Sequence, residues 1–282
     1  MRPDITYAEA VREALDFCLS QDKNVFVVGE GVPDPKKIFN TTAGLLEKYG
    51  PQRIMDMPLS ENALTGVCIG SGLIGMRPVM VHQRTDFAYL ALDQIINNAA
   101  KWHYMFNGQG QVPIVIRMMI GRGWGQGPQH SSSPQALFSH IPGLKVVMPA
   151  RPHDAKGMLI QAIEDNGPVI FLEHRWLHHM KEPVPEEPFR EPLGKARVVR
   201  SGDSLTLAAF SYSVIEATKI PPEWHSWIHF TTQNPPSEKV NKFSWQKEHE
   251  ENLTGTNKAH KPDGSLFSES KKNMKKYETW KF

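Results

Sequence analysis

Three side chains between residues 58 and 134 could do chemistry together. Glu61 stands at the start of a predicted helix, where the helix dipole favours a carboxylate. His130 lies in a loop rich in Gly and Ser, and a histidine with a pKa near neutrality can carry a proton. Phe87 lies in an aromatic and apolar segment. Each also has an ordinary structural interpretation: a charge at a helix N-terminus, a surface histidine and a core aromatic.

Further polar residues follow predicted strands. Glu30, His82, the loop 119–130 and Glu173 each come directly after, or at the end of, a short apolar run. Parallel sheets bind their ligands at the carboxyl ends of their strands. We therefore predict that these residues line one crevice.

The elements that must position these residues alternate between strands and helices. Thr6 and Glu9 have the spacing of a capping box and begin a helix. Small residues at 62–75 and an apolar face at Leu92, Ile95, Ile96 and Ala99 indicate two more helices, and Asp154 is expected to cap another. The predicted strands cover residues 24–30, 77–82, 112–118, 144–149 and 168–173. Continuous apolar strands between amphipathic helices predict an α/β fold with a doubly wound, mainly parallel sheet.

The chain changes character in its last third. Residues 181–193 are dense in Pro and Glu, and 204–211 begins a new strand with an unpaired edge. From residue 220 the chain is polar and rich in lysine, without sustained periodicity. We therefore predict a domain at 1–180, a linker and truncated second domain at 181–219, and an irregular tail at 220–282.

Composition excludes several functions. The formal net charge of +2 gives no basic excess for nucleic-acid binding. No run approaches the ~18 apolar residues that cross a membrane, so we expect a soluble protein without a membrane span. Cys18 and Cys68 lie far apart and have neither metal-ligand spacing nor a disulfide framework, which indicates a reducing compartment.

Long motifs carry a family resemblance from about Ile5 to Thr218. They are MPLSENALTG, LALDQIINNAAKWHYM and PQHSSSPQALFSHIPGLKVVMPARPHDAKGMLIQAIEDNGPVIFLE. This part resembles the beta subunit of pyruvate and branched-chain 2-oxoacid dehydrogenases, in the transketolase-like group. The resemblance implies a thiamine-diphosphate-binding fold, oxidative decarboxylation of a 2-oxoacid and acyl transfer to lipoamide.

The resemblance also implies roles for individual residues. Glu61 would hydrogen-bond the aminopyrimidine ring of thiamine diphosphate, and Phe87 would pack against that ring. His130 would assist proton transfer and acyl transfer. Glu30 would be a second acidic residue near the cofactor. The backbone carbonyls at Ile114, Ala162, Ile163 and Asp165 would form a potassium site.

A missing motif implies partners. Members of the group hold the diphosphate through Mg²⁺ with a Gly-Asp-Gly motif and a later Asn, and this chain has no such pair. An alpha subunit would supply them in a heterotetramer, and a lipoyl-bearing acyltransferase would accept the acyl group.

The tail resembles a different family. Trp224, Trp227, Ile228, Pro235 and Pro236 match a small accessory subunit of mitochondrial respiratory complex I and its related assembly factor, so the chain looks chimeric. The alternative function is therefore a non-enzymatic accessory or assembly protein of complex I, with the tryptophans as anchors. A faulty gene model or splicing artefact is a third interpretation. Both resemblances imply the mitochondrial matrix in a eukaryote, and a bacterial source implies the cytoplasm.

Overall fold

A six-stranded sheet forms the centre of the computed structural model, which describes residues 3–34, 37–201, 205–219 and 226–230. The strands are β1 (Ile5–Thr6), β2 (Val25–Gly29), β3 (Ile54–Met55), β4 (Arg77–His82), β5 (Val115–Ile120), β6 (Lys145–Val147), β7 (Val169–His174), β8 (Lys181–Glu182), β9 (Arg197–Arg200), β10 (Leu205–Ala209) and β11 (Ser226–Phe230). The α-helices are α1 (Tyr7–Gln21), α2 (Lys37–Asn40), α3 (Leu45–Tyr49), α4 (Glu61–Leu73), α5 (Thr85–Ala88), α6 (Trp102–Met105), α7 (Gln135–Ser139), α8 (Pro152–Glu164) and α9 (Tyr212–Thr218). A π-helix covers Gln94–Ala99, and 3₁₀ turns cover Tyr89–Ala91, Pro128–His130 and Arg175–His179. None of the described helices is both long and apolar enough to cross a membrane.

All strands of the central sheet run parallel, in the order β3-β2-β4-β5-β7-β6. The chain passes from β2 outward to β3 and then returns to β4 on the other side of β2. This reversal creates a switch point between β2 and β4, where open α/β sheets bind ligands beyond their carboxyl ends. The predicted α/β fold with a doubly wound, mainly parallel sheet is confirmed.

Side chains alternate between the two faces of the sheet, and helices cover both faces. Val27, Val79, Val115 and Phe171 pack in one cluster with α1 and α8. The cluster on the other face contains α4, the π-helix and strand residues of the opposite parity, such as Met80. The strands therefore read as continuous apolar runs because both of their faces are covered.

The first helix begins as predicted, whereas α8 does not. Thr6 Oγ1 accepts from the backbone N–H of Glu9 at 3.1 Å, and Glu9 Oε2 accepts from that of Thr6 at 2.7 Å. The prediction that Asp154 caps a helix is wrong, because Arg151 is the N-cap residue and Asp154 lies in the first turn. Pro152 suits the first helical position, so α8 starts three residues earlier than a cap at Asp154 would place it.

A second, three-stranded sheet has the order β10-β11-β9. Strand β11 runs parallel to β10 and antiparallel to β9. Two predictions need correction: the strand at 204–211 pairs with β11 on one side and keeps only its other edge unpaired within the described sheet, and residues 226–230 of the tail form a strand. An edge strand presents unpaired N–H and C=O groups that another strand can satisfy. Trp224, Pro235 and Pro236 lie outside the described residues.

Candidate active site

Two carboxyl groups face each other at the switch point between β2 and β4. Glu30 follows β2 directly, and Glu61 is the first residue of α4. Glu61 is only 5% exposed, and Thr65 Oγ1 donates to its backbone carbonyl at 2.7 Å. Thr65 Oγ1 also lies 3.2 Å from Sδ of Met80, so the start of α4 is attached to β4. The predicted placement of Glu61 at a helix start is confirmed.

The Glu30 carboxyl is in an unfavourable place for a charge. Burial raises its pKa above the ordinary value, and the nearby charge of Glu61 raises the pKa further. Its Oε1 is buried without a hydrogen-bond partner among the described residues. Two carboxylates that are close together cannot both ionise without cost. The pair can therefore hold a proton or a hydrogen-bond donor between its oxygens.

An aromatic contact joins the other two predicted site residues. The rings of Phe87, in α5, and His130, in a 3₁₀ turn, have centroids 5.3 Å apart and an interplanar angle of 89°. This is the edge-to-face arrangement that aromatic pairs prefer. Ser132 donates to Oδ1 of Asp86, the residue before Phe87. The loop after β5 is thus attached to α5 at two points.

The turn between β4 and α5 links the two pairs. Gln83, four residues before Phe87, donates from Nε2 to the backbone carbonyl of Glu30 at 2.9 Å. Helix α5 also packs against α4, which carries Glu61. The four residues predicted for catalysis and cofactor binding are therefore grouped at one edge of the sheet.

Two residues predicted to line the crevice lie inside the protein instead. Glu173 is fully buried within β7, where its carboxylate accepts from Arg117 Nε at 2.7 Å and Nη2 at 3.0 Å. His82 is 3% exposed, and burial lowers its pKa to about 4, so it is neutral near pH 7. The prediction is wrong for these two because each still lies within its strand, between covered faces.

The carbonyls predicted to bind potassium already have hydrogen-bond donors. Ile163 O and Asp165 O accept from Nη1 of Arg77 at 3.0 and 2.9 Å. The carbonyls of Ile114 and Ala162 each accept from a backbone N–H. An ion there would share its oxygens with a guanidinium of like charge, so these residues fit potassium poorly. Among the described residues, no group of three or more His, Cys, Asp or Glu could hold a metal ion.

Two arginines near the site were missed by the sequence reasoning. Arg84 follows β4 and is 3% exposed, and Arg175 follows β7. Their Cζ atoms lie 5.8 and 4.3 Å from the ring centroid of Phe39. The signal that could have found them is their position, because each comes within two residues after a strand that ends at the carboxyl edge.

The comparison with known families agrees with this architecture. Residues 3–179 match the family described as the transketolase pyrimidine-binding domain. This match covers more than half of the chain, and the chain belongs to that family.

Several curated relatives are named as beta subunits of oxidoreductases or dehydrogenases. The beta subunit of acetoin:2,6-dichlorophenolindophenol oxidoreductase from Cupriavidus necator is 42% identical over 218 residues, which are 74% of this chain and 64% of that protein. The pyruvate dehydrogenase E1 beta subunit of Rickettsia felis is 41% identical, and the 2-oxoisovalerate dehydrogenase beta subunit of Bacillus subtilis is 42% identical, with the same two coverages. The chain thus spans just under two thirds of the length of these relatives.

A solved structure and a second family complete the comparison. The split-gene transketolase described as an inactive beta4 tetramer has a TM-score of 0.59 at 22% identity, covering 81% of this chain and 72% of that one. This likeness concerns the fold alone. Residues 193–281 match NADH ubiquinone oxidoreductase subunit NDUFA12, so the predicted chimeric character is confirmed. The match begins at residue 193, before the junction predicted near residue 220.

Proposed function

We propose that the chain is the beta subunit of a thiamine-diphosphate-dependent 2-oxoacid dehydrogenase and works with an alpha subunit. The observation that carries this proposal is the Glu30–Glu61 pair at the switch point of a transketolase-type pyrimidine-binding domain. The relatives, which are named as beta subunits of oxidoreductases and dehydrogenases, support the same class of function.

The site residues suit the aminopyrimidine end of the cofactor. Glu61 would hold a proton against a ring nitrogen, and Phe87 would pack on the ring. The unpartnered Oε1 of Glu30 offers an acceptor for a further donor. When bound, thiamine diphosphate supplies the electron sink for decarboxylation. His130, whose ring contacts Phe87, would move the proton that accompanies acyl transfer to the lipoyl group.

The alpha subunit belongs to this proposal because the chain lacks the Gly-Asp-Gly and Asn pattern for magnesium. The diphosphate would therefore be bound by the partner, and the site would be completed at a subunit interface. A heterotetramer and a lipoyl-bearing acyltransferase follow as proposed partners.

The test is to co-express the chain with its matching alpha subunit and measure decarboxylation of 2-oxoacids with thiamine diphosphate and Mg²⁺. Glu61→Gln keeps the shape but loses the charge, and we expect the rate to fall by about 10²–10⁴-fold. We also expect the Glu61→Gln complex to bind thiamine diphosphate more weakly than the wild-type complex does, as measured by titration followed by protein fluorescence.

The matched control is Glu164→Gln, which alters an exposed carboxylate of α8 that pairs with Arg190 at 2.5 Å. This variant should keep the wild-type rate. A Glu61→Gln complex that still works within about threefold of wild type would contradict the proposal.

A second candidate function rests on the match of residues 193–281: an accessory or assembly role in respiratory complex I. Co-purification of the chain with complex I, without decarboxylase activity in the assembled complex, would favour it. Sequencing the mature transcript across Lys219–Pro222 tests the junction itself. A continuous read there would exclude a gene-model artefact.

A further inference from the structure

Two arginines at the carboxyl edge, the buried Arg84 and the half-buried Arg175, each have a guanidinium N–H without a hydrogen-bond acceptor in the part of the chain that the structure describes. Arg84 is 3% exposed, and its Nη1 is buried without an acceptor. Nη1 of Arg175 is likewise buried without an acceptor. Arg84 donates only to the neutral side chain of Gln126, through Nη2.

Such an arrangement is costly for the chain alone. Removing a guanidinium from water is unfavourable unless an anion compensates the charge. Burial lowers the pKa of Arg84, and burial together with the charge of Arg84 lowers that of Arg175. An unsatisfied buried group in a folded protein therefore needs an explanation, and a ligand is one of the few available.

Aromatic rings hold the two guanidinium groups in place. Both lie against Phe39, and Arg175 also lies 5.1 Å from the ring centroid of Trp124. Trp124 belongs to the loop after β5, which requires Gly121 at its start. Gly121 has φ of +106°, and a Cβ there would lie 2.7 Å from Nε2 of His174. The loop that bears Trp124 and Gln126 is thus built to close over the end of β7.

Asp86 acts on Arg84 through its charge but makes no hydrogen bond to it. Asp86 raises the pKa of Arg84 by its charge, but its Oδ1 accepts from Ser132. Its Oδ2 is buried without a hydrogen-bond partner among the described residues, so it makes no hydrogen bond to Arg84. The two buried N–H groups therefore have no hydrogen-bonded anion among the described residues and could bind one from outside.

We infer that Arg84 and Arg175 bind the carboxylate of a small organic acid. The guanidinium fork matches the planar geometry of a carboxylate, and two buried unpartnered N–H donors suit its two oxygens. Gln83, next to Arg84, donates to the backbone carbonyl of Glu30, so Arg84 is one residue from a contact with the residue that carries part of the carboxyl pair. In an inference that rests on the proposed function, the substrate is a 2-oxoacid that carries a second carboxylate.

The arginine site is tested first with the full chain alone, by calorimetric titration with succinate, with the neutral succinamide and with inorganic phosphate. Wild type should bind succinate and not succinamide. Arg84→Gln and Arg175→Gln should each weaken succinate binding about ten- to hundredfold. Arg190→Gln, which removes an exposed arginine of another surface, should leave it unchanged. Absence of succinate binding in wild type, or tighter binding of phosphate than of succinate, would overturn the carboxylate assignment.

Thermal unfolding without succinate distinguishes an arginine that binds a ligand from an arginine that stabilises the fold. Arg84→Gln should keep or raise the unfolding temperature, because it removes a buried charge that has no hydrogen-bonded anion among the described residues. A clear fall would mean that the chain itself stabilises Arg84, and the inference would be wrong.

The substrate class is tested next in the complex with the alpha subunit. Arg84→Gln should raise KM for 2-oxoglutarate at least about tenfold and leave KM for 2-oxobutyrate unchanged. Equal changes for both acids would overturn the assignment of a second carboxylate. If the complex decarboxylates neither acid, the proposed function fails, whereas the succinate titration judges the arginine site independently.

Discussion

Two buried arginines differ in whether a carboxylate pairs with them: Arg117 lies inside the sheet, and Arg84 lies at its carboxyl edge. Arg117 is fully buried in β5 and makes a two-point ion pair with Glu173 of β7. Arg84 is almost as buried, but among the described residues its hydrogen-bond acceptor is the neutral Gln126. The charge of Arg117 inside the sheet is therefore neutralised by a carboxylate of the same chain. The charge of Arg84 at the edge has no hydrogen-bonded carboxylate among the described residues and could bind an anion.

The same contrast holds for the carboxyl groups of the two regions. Burial alone would raise the pKa of Glu173, but the charge and hydrogen bonds of Arg117 hold it below its ordinary value. The pKa of Glu30 at the edge is raised by burial and by the like charge of Glu61. Paired charges indicate a structural role, and unpaired charges in a crevice indicate a place for a ligand.

The largest expected effect comes from breaking the interior pair. Glu173→Gln leaves the Arg117 charge buried and uncompensated, and should lower the free energy of unfolding by about 3–5 kcal/mol. Urea unfolding followed by circular dichroism measures this change.

Glu164→Gln is the matched control, because it removes a carboxylate from an exposed ion pair and should cost less than about 1 kcal/mol. Equal losses in the two variants would remove the distinction between the interior and the surface. Because the folded pKa of Glu173 is lowered, its stabilising contribution is present above the unfolded pKa and is lost as the pH falls through the folded value.

An intermediate effect, of opposite sign, is expected at the carboxyl edge. The pKa of Glu30 is raised in the folded chain, so the folded state binds a proton more readily than the unfolded state does. Stability should therefore fall as the pH rises from the ordinary value of 4.5 through the raised pKa. Glu30→Gln, without cofactor, should gain on the order of 1 kcal/mol near pH 7 and little at pH 4.

Urea unfolding of both proteins between pH 4 and pH 8 measures this dependence. A gain that is the same at every pH would show that the charge of Glu30 is not its cause. A loss of stability near neutral pH would mean that Glu30 is satisfied within the chain.

The smallest effect should come from Tyr7, beneath the interior pair. Its ring is fully buried and stacks on His178 with centroids 5.7 Å apart, but its hydroxyl has no hydrogen-bond partner among the described residues. Tyr7→Phe keeps the ring and removes an unsatisfied group, so stability should stay equal or rise by at most about 1 kcal/mol. Thermal unfolding measures this change. A fall of more than about 2 kcal/mol in the free energy of unfolding would show that the hydroxyl has a hydrogen-bond partner.

The sequence by itself determined the features that depend on neighbouring residues. The capping box of Thr6 and Glu9, the position of Glu61 at a helix start and the apolar strands could be predicted, because caps and side-chain alternation repeat over a few residues. Family motifs added the expected roles of Glu61, Phe87 and His130, which remain predictions.

Only the tertiary structure decided which distant residues meet. Arg117 and Glu173 are 56 residues apart and pair because β5 and β7 are neighbours in the sheet, with β6 at the edge. Arg84 and Arg175 both lie against the ring of Phe39 for a similar reason. The order of the strands decides which strand ends are neighbours. Strand β11 took the edge of β10, which local pattern did not indicate. Strand order depends on long-range packing and crossover direction, and no short stretch of sequence encodes them.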